Sequence, residues 1–104
     1  PDMKERKSMM REQADAFIAL PGGWGTLEEI TEVITLKQLG VHNKPIVFIN
    51  TNDFYEYFFL FINNIRKEGF VSNAYDGLYT VVNDVEEALA YIKKYKAKEF
   101  SSKY

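Results

Sequence analysis

Apolar residues fall along this chain in two kinds of block. Short continuous runs occur at Ala16-Phe17-Ile18-Ala19-Leu20, at Pro45-Ile46-Val47-Phe48-Ile49-Asn50 and over residues 78–82. Runs of this length without alternation predict strands buried on both faces, as in parallel sheets. Between them lie longer stretches with helical spacing. Residues 3–14 place Met3, Arg6, Lys7 and Met10 on one side. Residues 26–39 carry Leu27, Ile30, Val33 and Ile34 on an apolar face, with Gly40 as the stop. A third helix is expected over 54–68, capped by Asp53 and ended at Gly69. A fourth runs from an Asp84 cap to about Lys94, followed by a polar, lysine-rich tail.

The predicted order is therefore one helix followed by three strand–helix units. Such alternation implies an α/β fold: a three-layer, Rossmann-like arrangement on a parallel sheet with right-handed crossovers. With 104 residues the chain suits a single domain over 1–104. Three strands are few beside the roughly five or six of such sheets. The chain also opens Pro1-Asp2-Met3. The expectation is the C-terminal part of a larger fold, its N-terminal strands missing. The segment from Phe54 to Ile62 is too apolar all round for a surface helix. Part of it should pack on the sheet; the rest would cover a second subunit or the missing N-terminal half.

Composition narrows the function. A net charge of −2 argues against a nucleic-acid partner, and there is no cysteine for disulfides or thiolate metal sites. No apolar stretch nears the ~20 residues that span a bilayer, so no membrane partner is expected. The expected location is the cytoplasm.

The chemistry concentrates where the first strand meets the second helix, at Pro21-Gly22-Gly23-Trp24-Gly25-Thr26-Leu27-Glu28-Glu29. Glycines let backbone approach a ligand, and the first N–H groups of a helix have no partners inside it. The helix dipole adds partial positive charge there, so the turn reads as a phosphate cradle. Glu28 and Glu29, expected in the first helical turn, would set carboxylate beside a bound phosphate or sugar. Thr26-Leu27-Glu28-Glu29 reads equally as a capping box, with Thr26 at the N-cap and Glu29 at the third helical position. Asp53-x-x-Glu56 and Asp84-x-x-Glu87 repeat that pattern. Capping does not account for three glycines and a proline in five residues. Neither the dinucleotide fingerprint nor a P-loop lysine is present, which favours a mononucleotide or sugar phosphate.

This segment resembles the PGGxGTxxE signature of the Lonely Guy family, cytokinin riboside 5′-monophosphate phosphoribohydrolases often labelled "possible lysine decarboxylase". The family's MxxRK signature is matched by Met3-Lys4-Glu5-Arg6-Lys7, and Arg6 and Glu29 stand 23 positions apart, as in the family. The run from Thr35 to Gly40 and Lys44-Pro45 are also similar to it. Lys4 stands where many members carry His. The resemblance implies cleavage of a nucleoside 5′-monophosphate into free base and ribose 5-phosphate. It assigns catalysis to Arg6 and Glu29, and substrate contacts to Lys7, Gly22, Gly23, Trp24, Gly25, Thr26, Leu27, Glu28 and Thr35. It implies a homodimer with the pocket near the subunit interface, and no cofactor or metal.

The side chains suit that reaction. Breaking a ribosyl C–N bond develops positive charge on the sugar. A carboxylate such as Glu29 stabilises this charge and orients or deprotonates the attacking water. Arg6 suits either of two roles, pairing with phosphate or holding Glu29 ionised. Pyridoxal chemistry fits poorly, because Lys7 lacks the partners of a Schiff-base lysine. The rival reading is a non-catalytic carrier of a nucleotide or molybdenum cofactor, which needs the glycines but not the carboxylate.

The remaining features read as structural. His42, the only histidine, is expected to be an exposed loop residue without function. Met3, Met9 and Met10 read as core filler. Lys93, Lys94, Lys96 and Lys98 read as a solvated helix end. Tyr75, in the loop 73–78, could border a pocket or simply pack.

Overall fold

The computed structural model describes residues 2–71 and 77–102; side chains of Met3, Lys7, Ser8 and residues 97–102 are outside the description. Tyr75 and the side chain of Lys98 therefore fall outside it. The elements follow the expected order: α1 (Met3–Gln13), β1 (Phe17–Ala19), α2 (Trp24–Gln38), β2 (Ile46–Ile49), α3 (Glu56–Lys67), β3 (Thr80–Val82) and α4 (Val85–Ser102). The strands form one parallel sheet in the order β1-β2-β3, with Ala19 opposite Phe48 and Phe48 opposite Val81.

β2 is buried along its whole length, as its unbroken apolar run predicts. Strand residues alternate between faces, so β2 builds two cores. Ile46 and Phe48 join Ala19, Ile30, Val33 and Tyr55 beneath α2 and α3. Val47 and Ile49 join Ala88 beneath α4. The result is three layers, helix, sheet and helix. Among the described residues no helix is long and apolar enough to cross a membrane.

Helix ends depart from expectation in instructive ways. Asp84 does cap α4: its Oδ1 accepts from the Glu87 N–H at 2.9 Å, while Glu87 Oε2 accepts from the Asn83 N–H at 2.7 Å. Among the described residues Asp53 caps no helix; it lies in a 3-10 turn (Thr51–Asp53) ahead of α3. Asn52 and Asp53 there take left-handed φ of 53° and 57°, which short polar side chains tolerate. Asn50 replaces Asp53, its Oδ1 accepting from the Tyr55 N–H at 2.7 Å. The lysine-rich tail is not a tail. α4 runs on to Ser102, because residues 93–102 contain no breaker and Tyr95 anchors the extension, donating to the Asn43 carbonyl at 2.9 Å. α3 packs by Phe58 and Phe59 and leaves Tyr57, Leu60 and Phe61 exposed, as is Phe54 just ahead of it.

His42 corrects another expectation. It is half-buried, tilted against the Phe17 ring at 5.5 Å. Its Nε2–H donates to the Val33 carbonyl (2.9 Å) and its Nδ1 accepts from the Lys44 N–H (3.1 Å). The ring thus clips the middle of α2 to the loop that leads into β2, in one neutral tautomer. Lys44 carries the chain of contacts on to α1, donating from Nζ to the Arg11 carbonyl at 2.7 Å and the Glu12 carbonyl at 3.2 Å. A cation at the last carbonyls complements the helix dipole.

Burial holds the His42 pKa below its ordinary 6.5; Lys37, Lys44 and Arg11 push the same way and the Val33 bond opposes. A lowered folded-state value means the unfolded chain binds the proton more tightly. The stabilisation is therefore complete above about pH 6.5 and is lost as pH falls towards the folded-state value. Denaturant melts from about pH 7.5 to about pH 5 should show stability falling with acid in the wild type. The fall should be shallower in His42→Gln; equal slopes would show that His42 does not carry this dependence.

Candidate active site

The site lies at the C-terminal end of β1, the edge where open parallel sheets bind ligands. Pro21, Gly22, Gly23, Trp24 and Gly25 are all exposed, Trp24 at 89%. The helix begins earlier than the capping-box pattern predicts. Gly23 is the N-cap and its carbonyl accepts the first helical bond, from the Leu27 N–H at 3.1 Å. Thr26 is therefore the third helical residue, not the cap, and no side chain caps α2. Glu28 and Glu29 move into the second turn, leaving no carboxylate in the first. The shift matters electrostatically. The N–H groups at the helix start have no side-chain cap, and the first turn carries no acidic residue to repel an incoming anion.

The glycines are not equivalent. A Cβ on Gly22 would stand 2.3 Å from Thr26 Oγ1 and 3.0 Å from its Cβ. Gly22 is thus the position that lets the half-buried Thr26 side chain fold back under the turn. A Cβ on Gly23 or Gly25 would meet nothing within 4 Å, so these two border the space a ligand would fill.

Glu29 joins this turn to a second feature. It lines a cleft of about 200 Å³ that runs from Thr26 along β1. It also lines a cleft of about 180 Å³ between α1 and α2, with Met10, Arg11, Ala14, Phe17, Glu32 and Val33. Phe17 and Val33 form an apolar floor common to both. In the second cleft Arg11 Nη1 pairs with Glu32 Oε1 at 3.0 Å. Sequence reading missed this pair. The partners stand 21 positions apart on different helices, and no local spacing couples them.

Of the other expected site residues, Arg6 is exposed on α1 and, among the described residues, makes no ion pair with Glu29. Leu27 is half-buried and Glu28 exposed. The Lys7 side chain lies outside the description. Thr35 is not brought to Glu29. It borders a separate cavity of about 310 Å³ between α2 and α3, with Thr31, Gln38, Phe58 and Arg66 among its walls. Its hydroxyl donates back to the Thr31 carbonyl at 2.8 Å. Six residues along a helix of 3.6 per turn put Thr35 and Glu29 on different faces.

Two substitutions separate packing from ligand space. Gly22→Ala should lower stability by about 1–3 kcal/mol, the usual cost of overpacking. Gly25→Ala should leave stability equal or raise it by about 0.5–1 kcal/mol, since alanine suits a helix better. Gly25→Ala should nonetheless weaken nucleotide binding. Thermal melts and nucleotide titrations of both variants check this, and a strongly destabilised Gly25→Ala would contradict the open geometry of the turn.

Comparison with known proteins places these features in a family. The family described as "Possible lysine decarboxylase" matches residues 1–92. A cytokinin riboside 5′-monophosphate phosphoribohydrolase of Rhodococcoides fascians is 47% identical over 92 residues, covering 88% of this chain and 46% of that protein. Two proteins of the same description from Arabidopsis thaliana are also similar. One is 43% identical over 95 residues, covering 91% of this chain and 44% of its own length. The other is 44% identical over 103 residues, covering 97% and 48%. The chain spans about half the length of the curated relatives it matches. Because the match takes in α1, the glycine turn and all three strands, the chain belongs to the possible lysine decarboxylase family, that of the Lonely Guy proteins.

Proposed function

We propose that this protein hydrolyses the N-glycosidic bond of a nucleoside 5′-monophosphate, releasing free base and ribose 5-phosphate. The observation that carries the reading is the position of Glu29, bordering both the cleft that begins at the uncapped glycine turn and the cleft between α1 and α2. The names of the relatives supply the substrate class, a cytokinin riboside 5′-monophosphate; AMP, the unmodified nucleotide, is the second candidate.

Phosphate binds the N–H groups from Gly23 to Thr26, favoured by the dipole of α2. The ribose then lies over the first turn of α2, with its anomeric carbon towards Glu29. As the C–N bond breaks, the bonding pair leaves with the base and positive charge grows on the sugar. The Glu29 carboxylate faces that charge and draws a proton from the attacking water. Water oxygen bonds the anomeric carbon, and the proton taken by Glu29 passes to the ring nitrogen that had carried the ribose, so the base leaves neutral and Glu29 is again a carboxylate. Arg6, on the helix that flanks the cleft, pairs with the phosphate or with Glu29. Trp24 offers an apolar ring beside the anion site. The exposed Tyr57, Leu60 and Phe61 on α3, with Phe54 just before it, support a homodimer, and a dimer mass in sedimentation is the expected result.

The test follows release of free base from AMP and from isopentenyladenosine 5′-monophosphate by the full chain. Wild type should release base. Glu29→Gln should bind nucleotide with near-normal affinity and turn over about 10²–10⁴-fold more slowly. Arg6→Ala should also lose turnover; a normal rate with weaker binding would reduce Arg6 to a phosphate ligand. Nucleotide binding without base release in the wild type would replace hydrolysis with carriage of a phosphorylated ligand.

A further inference from the structure

Tyr55 is one of the most buried residues of the chain, 4% exposed at the entrance to α3. Its ring packs edge-on against Phe48 with centroids 5.1 Å apart, and against Phe54 at 5.0 Å. Packing needs the ring but not the hydroxyl. The hydroxyl is used elsewhere: it donates to the carbonyl of Leu20, 35 positions earlier in the chain. Leu20 is the last residue before Pro21 and the glycine turn. Its own side chain is half exposed and does little to hold it.

The other end of this contact is equally well held. The Tyr55 N–H donates to Asn50 Oδ1 at 2.7 Å, and the Asn50 N–H donates to the Val82 carbonyl of β3 at 2.8 Å. The two left-handed residues Asn52 and Asp53 fold the intervening loop tightly enough for Asn50 to reach Tyr55. A continuous chain of hydrogen bonds thus runs from the sheet through Asn50 and Tyr55 to the Leu20 carbonyl. The peptide plane of Leu20–Pro21 is rigid and proline fixes its own φ. Orienting that carbonyl therefore orients the peptide that enters Gly22.

We propose that Tyr55, held by Asn50, is a positioning residue that sets the glycine turn in register with Glu29. The inference rests on the phosphoribohydrolase reading for its catalytic consequence, though not for its structural one.

Tyr55→Phe keeps the ring and removes only the hydroxyl. In the full chain it should melt cooperatively. Backbone order parameters of Gly22, Gly23 and Gly25 should drop from about 0.85 towards 0.6, with those of β2 unchanged. The kcat for AMP should fall about ten- to a hundredfold, as misplaced catalytic groups do, with a smaller change in KM. Asn50→Ala should reproduce this pattern, and Asn50→Asp, which retains the acceptor, should behave as wild type. A turn as ordered in Tyr55→Phe as in wild type overturns the inference. So does a loosened turn with undiminished kcat, or a loss of order throughout the protein. If wild type itself releases no base from AMP, the hydrolase reading fails; the inference then stands or falls on the order parameters and on AMP affinity, which should weaken in Tyr55→Phe.

Discussion

The fold depends on one strand with almost no exposed surface. Ile46, Val47 and Phe48 are each 0% exposed. Because strand residues alternate, β2 supplies side chains to both helical layers at once. Phe48 matters most. Its ring has Tyr55, Phe58, Phe59 and Tyr79 around it at 5.1–5.6 Å, three of them edge-on. Edge-on aromatic pairs contribute about 0.5–1.5 kcal/mol each beyond the area they bury. The cluster joins the start of α3 to the sheet, and so brings the loop after β2 across the end of β1. The candidate site is a consequence of that placement.

The helix N-termini show how local stability gives way to ligand space. α1 and α4 each have an aspartate cap, Asp2 accepting from the Glu5 N–H at 2.8 Å and Asp84 from the Glu87 N–H at 2.9 Å. α2 has glycine at its cap and no side-chain acceptor. Glycine in place of a capping side chain costs the helix only about a few tenths of a kcal/mol. The neighbours offset it: Ile30 and Val33 are buried in the core, and His42 holds the Val33 carbonyl from the far side. α2 can thus go without a side-chain cap because its middle is secured.

The α1–α2 cleft is held in a similar division of labour. Lys44 ties the end of α1 to the β2 side of the sheet, and Arg11–Glu32 ties α1 to α2. The Arg11–Glu32 pair is partly exposed, so its energetic contribution is modest, about 0.2–1 kcal/mol. Its use is directional, holding two helices apart at a fixed separation over an apolar floor of Phe17 and Val33. Glu29, on the same helix as Glu32 and one turn before it, is left facing both clefts.

Much of this was legible in the residues alone. Apolar runs, helical spacing and the stops at Gly40 and Gly69 are local properties, because backbone geometry imposes periods of 2 and 3.6 on any chain; they determined the seven elements and the parallel α/β class. The glycine turn and its carboxylate were equally visible, since both lie within nine consecutive residues. Helix boundaries were less so. Thr26 and Asp53 have the chemistry of caps, but whether an oxygen caps depends on where the chain enters the helix, and that is decided by packing. Gly22 against Thr26 and Asn50 against Tyr55 settled those two cases. The contacts that shape the site were not legible at all. Arg11 meets Glu32, His42 meets Val33 and Tyr55 meets Leu20 across 21, 9 and 35 positions. No periodicity links such residues; they meet only because helices and strands have packed on β2. Sequence determined which groups this protein has for binding and chemistry, and tertiary structure decided which of them face one another.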